Sequence, residues 1–112
     1  MTTRPLLAPA QEQAVQLYFG GQHELFTRYL AACRAQFPHD VSAADQALQT
    51  ADAPALRRIA HSLKSVLLTL GYAELSTQAR ELEQACLTHL TPAAHDLWRT
   101  LRQALLTQVC GD

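Results

Sequence analysis

The chain is 112 residues long, 48% hydrophobic and 17% charged, with a formal net charge of −1. A chain of this size holds one domain with a single core. Its near-neutral balance speaks against nucleic acid as the main partner, because phosphate binding leaves a basic surplus, and no apolar run approaches the roughly 20 residues of a membrane span.

The opening MTTRPLLAPA lacks the long apolar segment of a secretory leader, which makes the cytoplasm the expected location. β-Branched residues are scarce beside Ala, Leu and Gln, and there are only four glycines and five prolines, the profile of an all-α domain. Cys33, Cys86 and Cys110 follow no motif spacing and read as reduced, two of them as helix-packing residues.

Residues 1–9 contain Pro5 and Pro9 without periodicity and are expected to form a flexible arm, leaving 10–110 as the folded domain. A first short helix begins near Ala10, with Ala14, Leu17 and Tyr18 on one side, and stops at Gly20-Gly21. A second runs from Gln22 to Gln36, where Leu25, Phe26, Tyr29, Leu30 and Cys33 recur at helical spacing. Pro38 either bends or breaks that pattern, and Val41, Ala44, Ala47 and Leu48 carry a stripe on to Thr50.

Asp52-Ala53-Pro54 reads as an N-cap followed by proline in the first turn. The helix it launches contains LRRIAHSLKSVLLTL, Leu56 to Leu70, and Gly71 is its C-cap. The next helix is expected from Ala73 to Leu90, with Leu75, Ala79, Leu82 and Cys86 inward. Thr91-Pro92 opens a last one in which Leu97, Trp98, Leu101, Leu105 and Val109 face inward, and the final Cys-Gly-Asp is expected to fray. Short connections between long amphipathic helices predict an up-and-down antiparallel four-helix bundle with a short additional N-terminal helix.

His61 is the residue to explain. At about 100° per residue, Leu56, Ile59, Leu63, Val66, Leu67 and Leu70 form one apolar arc, and His61 lies nearly opposite its centre. Around it on the outer face lie Arg57, Arg58, Lys64 and Ser65, with Leu68 the one apolar residue among them. An outward imidazole among cations is a nucleophile suited to a phosphoryl group, because phosphoryl transfer asks for positioning and charge compensation above all. Lys64 is placed to act as a counter-charge, Ser65 is small enough to leave a partner clearance, and Leu68 with Arg57 and Arg58 offers a docking surface.

AHSLKSVLLTLGYAEL resembles the signature of histidine phosphotransfer (HPt) domains through Ala60, His61, Leu63, Lys64, Leu70, Gly71 and Leu75. The likeness extends upstream through Phe26, Asp45, Ala47, Leu48, Asp52 and Leu56, and downstream to Leu82-Glu83. The family usually has glycine where this chain has Ser65. The resemblance implies a phosphorelay intermediate that accepts a phosphoryl group on His61 from a receiver-domain aspartate and passes it to another receiver. Its expected partners are response-regulator receiver domains and a hybrid sensor histidine kinase. No cofactor or metal of its own is implied, Mg²⁺ belonging to the receiver.

The resemblance also implies a polar side chain on the following helix that holds the ring. An antiparallel helix starting after Gly71 returns past His61 near Glu81 to Gln84, which makes Glu83 or Gln84 the candidate. No glycine-rich phosphate loop or kinase motif is present, so self-phosphorylation is not expected. The rival from another class is a non-catalytic four-helix interaction domain that uses the same face. A metal site at Cys86, His89 and His95 matches no ligand spacing.

Overall fold

The computed structural model describes residues 7–110. The described residues form α1 (Pro9–Tyr18), α2 (His23–Gln49), α3 (Ala53–Thr69), α4 (Ala73–Ala85) and α5 (Pro92–Ala104), closed by a π-helical segment (Leu105–Val109), with no strand among them. The fold is all-helical.

α1 begins one residue earlier than expected, at Pro9, and Leu7 already packs on the core. The flexible-arm expectation for residues 1–6 and the frayed end at 111–112 lie outside the described residues. Within α1 the buried residues are Ala14 and Val15, while Leu17 is 65% exposed and Tyr18 is also outward. The stripe is rotated from the one expected because α1 lies on the surface of the other helices and is anchored at its end by Phe19. The Phe19 ring meets Phe26 edge-on with centroids 5.3 Å apart.

Pro38 neither ends α2 nor divides it, since the helix runs unbroken through it for 27 residues. Interior proline costs about 3 kcal/mol. Here the buried positions Leu30, Cys33, Phe37, Val41, Ala44 and Ala47 continue on both sides, and Pro38 itself is exposed. Burying Phe37 and Val41 contributes about 1.5–3 kcal/mol each, enough to offset the proline and keep one helix.

The two caps expected from the sequence are made. Asp52 Oδ1 accepts from Ala55 N at 3.1 Å, and Thr91 Oγ1 accepts from Ala94 N at 3.2 Å. α4, however, stops at Ala85 rather than Leu90. Cys86 turns out of helical geometry, and the Arg57 guanidinium donates to the freed Leu87 carbonyl at 3.2 Å. In α5 Leu97 is half-buried, while Trp98 and Leu101 carry the core contact.

α3 packs along α4 and also on α2, and α4 packs on α5. Asp45 ties α2 to α5 by accepting from Trp98 Nε1 at 2.9 Å and Arg102 Nε at 3.1 Å. Arg34 Nε donates to the Val109 carbonyl at 2.7 Å, which joins α2 to the π-helical segment.

The two connections that set the level of α3 use the same device. After α2, Asp52 N bonds to Ala47 O at 2.8 Å and Ala51 N to Leu48 O at 3.3 Å; after α3, Tyr72 N bonds to Leu67 O at 2.9 Å and Gly71 N to Leu68 O at 3.1 Å. Both turns need a left-handed residue, and they find Ala51 (φ 54°) and Gly71 (φ 88°). At Gly71 a Cβ would also lie 2.8 Å from the Ala10 carbonyl oxygen of α1, so the glycine serves both the turn and the seating of α1.

Substitutions at these two positions are expected to act in opposite directions. Ala51→Gly relieves a left-handed alanine and stabilises by about 1 kcal/mol, whereas Gly71→Ala destabilises by about 2 kcal/mol or more. Urea unfolding of the two variants checks this, and equal shifts of the same sign would contradict it.

Candidate functional site

The site grows from two helix faces set by burial. In α3, Leu56, Ala60, Leu63, Leu67 and Leu70 are buried and Ile59 and Val66 half-buried, which turns His61 outward with its side chain 64% exposed. In α4, Leu75, Ala79 and Leu82 are buried, which brings Ser76 and Glu83 to the edge facing α3. Ser76 Oγ donates to the Lys64 main-chain carbonyl at 2.7 Å and fixes the register of the two helices beside His61.

Glu83 lies where the antiparallel return was expected to bring it. One carboxylate oxygen, Oε2, is 2.6 Å from His61 Nδ1, and the other, Oε1, accepts from Lys64 Nζ at 2.8 Å. Its side chain is 19% exposed, against 64% for His61. The Lys64 hydrogen bond is the largest influence on the Glu83 carboxyl and, with the His61 bond, holds it below its ordinary value of 4.5 against the opposing effect of burial. Glu83 is therefore ionised at neutral pH and can only accept. The hydrogen in the short contact belongs to His61 Nδ1, and the lone pair of the neutral ring is on Nε2, pointing away from Glu83.

The other sequence candidates fall into place around this pair. Lys64 is half-buried and engaged by Glu83 instead of standing free as a mobile charge. Arg57 is occupied at the end of α4 through Leu87, and Arg58 is exposed; both border an open depression with His61, Ser62 and Glu83. Ser65 and Leu68 are exposed and line a neighbouring groove between α3 and α4. Of the two alternatives on α4, Glu83 reaches the ring and Gln84 does not: one step of about 100° turns Gln84 outward, where it is exposed.

Three residues near the site were missed by sequence reasoning: Ser62, Ser76 and Arg80. Ser76 carried a usable signal, because it lies two turns before Glu83 on the same face, a hydroxyl placed within a buried arc. Among the described residues no group of three or more His, Cys, Asp or Glu comes together as a metal site. Cys86 is buried while His89, bonded to Thr88 Oγ1 at 3.0 Å, and His95 are exposed.

The lowered Glu83 carboxyl makes part of the stability depend on pH. A carboxylate held below its unfolded value contributes stability that is present above 4.5 and is lost as pH falls through the lower folded value. Wild type is expected to exceed Glu83→Gln in stability at neutral pH, and the gap should narrow as the pH falls below 4.5. Denaturant midpoints measured across that range check it; a gap independent of pH would contradict the ionised clasp.

The family model of the Hpt domain matches residues 28–110, which span α3, α4 and the whole of the His61–Lys64–Glu83 cluster. Searches of curated proteins and of solved structures found no match. An outward histidine on one helix, gripped at Nδ1 from the next and lying inside that matched span, agrees with the family assignment: the chain belongs to the Hpt domain family.

Proposed function

We infer that this chain, as an Hpt domain, takes part in histidine phosphotransfer in a phosphorelay and interacts with receiver domains. We propose that this chain is a cytoplasmic phosphorelay intermediate in two-component signalling, in which His61 takes a phosphoryl group from the phosphoaspartate of one receiver and gives it to the aspartate of another. The donor receiver is that of a hybrid sensor histidine kinase. α2 to α5 form the antiparallel up-and-down bundle that presents His61, a reading supported by the short connections and by the Asp45 bonds that join α2 to α5.

The observation that carries this reading is the 2.6 Å contact of His61 Nδ1 with Glu83. In the transfer, the Nε2 lone pair attacks phosphorus, a P–N bond forms, and the P–O bond to the aspartyl oxygen breaks, releasing a carboxylate. The ring becomes cationic while it keeps its Nδ1 proton, and the Glu83 carboxylate is already in place to balance that charge. Onward transfer reverses these steps. Lys64, one turn after His61 on α3 and 2.8 Å from the same carboxylate, supplies the counter-charge for the phosphoryl oxygens in this reading.

Incubation with a phosphorylated receiver is expected to label the wild type with phosphate that is acid-labile and alkali-stable, and to leave His61→Gln unlabelled. An unlabelled wild type across all receivers of the same genome would overturn the proposal. Glu83→Ala is expected to slow transfer about 10–100-fold, the range seen when an outer partner that orients a metal-bound histidine is removed. Ser65→Gly should preserve or speed transfer and Ser65→Gln should block docking by bulk; equal rates in Ser65→Gln and wild type would refute the clearance role of that position.

A further inference from the structure

Most cations of the described chain are already engaged. Arg28, Lys64, Arg99 and Arg102 are paired with carboxylates, and Arg34 and Arg57 donate to main-chain carbonyls. Arg58 and Arg80 have no such partner among the described residues; Arg58 borders the depression that holds His61, and Arg80 the neighbouring groove that holds Lys64 and Ser65. An unpaired arginine is ordinary on a surface; that both lie on the α3–α4 side that presents His61 is not explained by stability.

The charge of this face is one-sided. α3 carries Arg57, Arg58 and Lys64 and no acidic residue. The neighbouring carboxylate on α4, Glu83, is taken up by His61 and Lys64. The face is cationic on a chain whose net charge is −1. That balance suits an acidic protein surface and disfavours a nucleic-acid backbone, which binds broadly basic surfaces.

Arg80 borders an open groove of about 310 Å³ between α3 and α4, with Ser65 and Leu68 on the other side. The two remaining hydroxyls of the groove already donate to main-chain carbonyls: Ser76 Oγ to Lys64 O, and Thr77 Oγ1 to Ala73 O at 3.1 Å. The Ser65 hydroxyl and the Arg80 guanidinium are left to a visitor. A hydroxyl and a planar five-donor fork on opposite walls make a receptor for a carboxylate.

We infer that Arg80 and Ser65 form a specificity-determining contact that takes an acidic side chain of the docked receiver, whose apolar surface seats on Leu68. The inference rests on the relay reading of His61. It also gives Ser65, where the HPt pattern has glycine, a function beyond clearance: the hydroxyl orients the carboxylate that Arg80 attracts, so Ser65→Gly raises the half-saturating receiver concentration while its limiting transfer rate is preserved.

The test is single-turnover transfer from a phosphorylated receiver over a range of receiver concentrations and salt, using wild type, Arg80→Glu and Arg80→Lys, each checked for native helicity. Arg80→Glu is expected to raise the half-saturating receiver concentration about three- to tenfold and to flatten its salt dependence. Arg80→Lys, which keeps the charge but not the planar fork, should restore the salt dependence and recover only part of the lost half-saturation. If Arg80→Glu matches wild type in half-saturation and salt dependence, or loses only the limiting rate, the docking assignment is overturned while the relay stands. If no receiver labels wild type, the relay reading falls and this inference with it.

Discussion

The structure turns on one carboxylate shared between two bases. Glu83 holds His61 Nδ1 with one oxygen and the Lys64 ammonium with the other, at 2.6 and 2.8 Å. Either contact alone would be a surface ion pair of small value. Together they hold the Glu83 carboxyl below its ordinary value of 4.5, and an ionised Glu83 at neutral pH fixes which ring nitrogen bears the proton. The free lone pair at Nε2 is thereby set from a neighbouring helix, and no hydrogen bond to that nitrogen is made among the described residues.

Such a contact demands that two helices hold their register to a fraction of an ångström, and several features of the chain serve that end. The Ser76 hydroxyl pins α4 to the carbonyl of the same Lys64 whose ammonium reaches Glu83, so one residue of α3 is held at both ends. The turn at Gly71 sets the height at which α4 starts, and α1 rests against that glycine so closely that no side chain fits there. Arg57 satisfies a free carbonyl beyond α4 and borders the depression around His61. The Leu56–Leu70 arc, with Leu56, Ala60, Leu63, Leu67 and Leu70 buried and Ile59 and Val66 half-buried, keeps the outward face from rotating.

Much of this was legible in the sequence because it depends on local period and turn chemistry. The apolar arc of α3, the Asp52 and Thr91 caps and the stop at Gly71 are read from neighbours a few residues apart. Glu83 was reached as one of two neighbouring candidates by counting back along an antiparallel partner, and the choice between it and Gln84 needed the actual rotation of α4. The misjudged elements were those decided by contacts distant in sequence. Pro38 was an open question because its local cost is plain while the burial that outweighs it comes from other helices. The exposed side of α1 and the early end of α4 depend on what packs against them. Arg80 carried no signal of its own; its interest arises from its making no ion pair among the described residues, Glu83 one turn on being taken up by His61 and Lys64, which a linear reading does not show.

The ionised Glu83 acts on His61 through the position of one proton, and that proton can be observed. Nitrogen-15 NMR of the neutral His61 imidazole in the unphosphorylated protein reports the tautomer directly. A protonated Nδ1 with an unprotonated Nε2 is the expected result, shifting towards the ordinary tautomer mixture in Glu83→Ala. A wild-type ring protonated at Nε2, or a tautomer balance unchanged by Glu83→Ala, would contradict the claim that Glu83 prepares His61 for phosphoryl transfer.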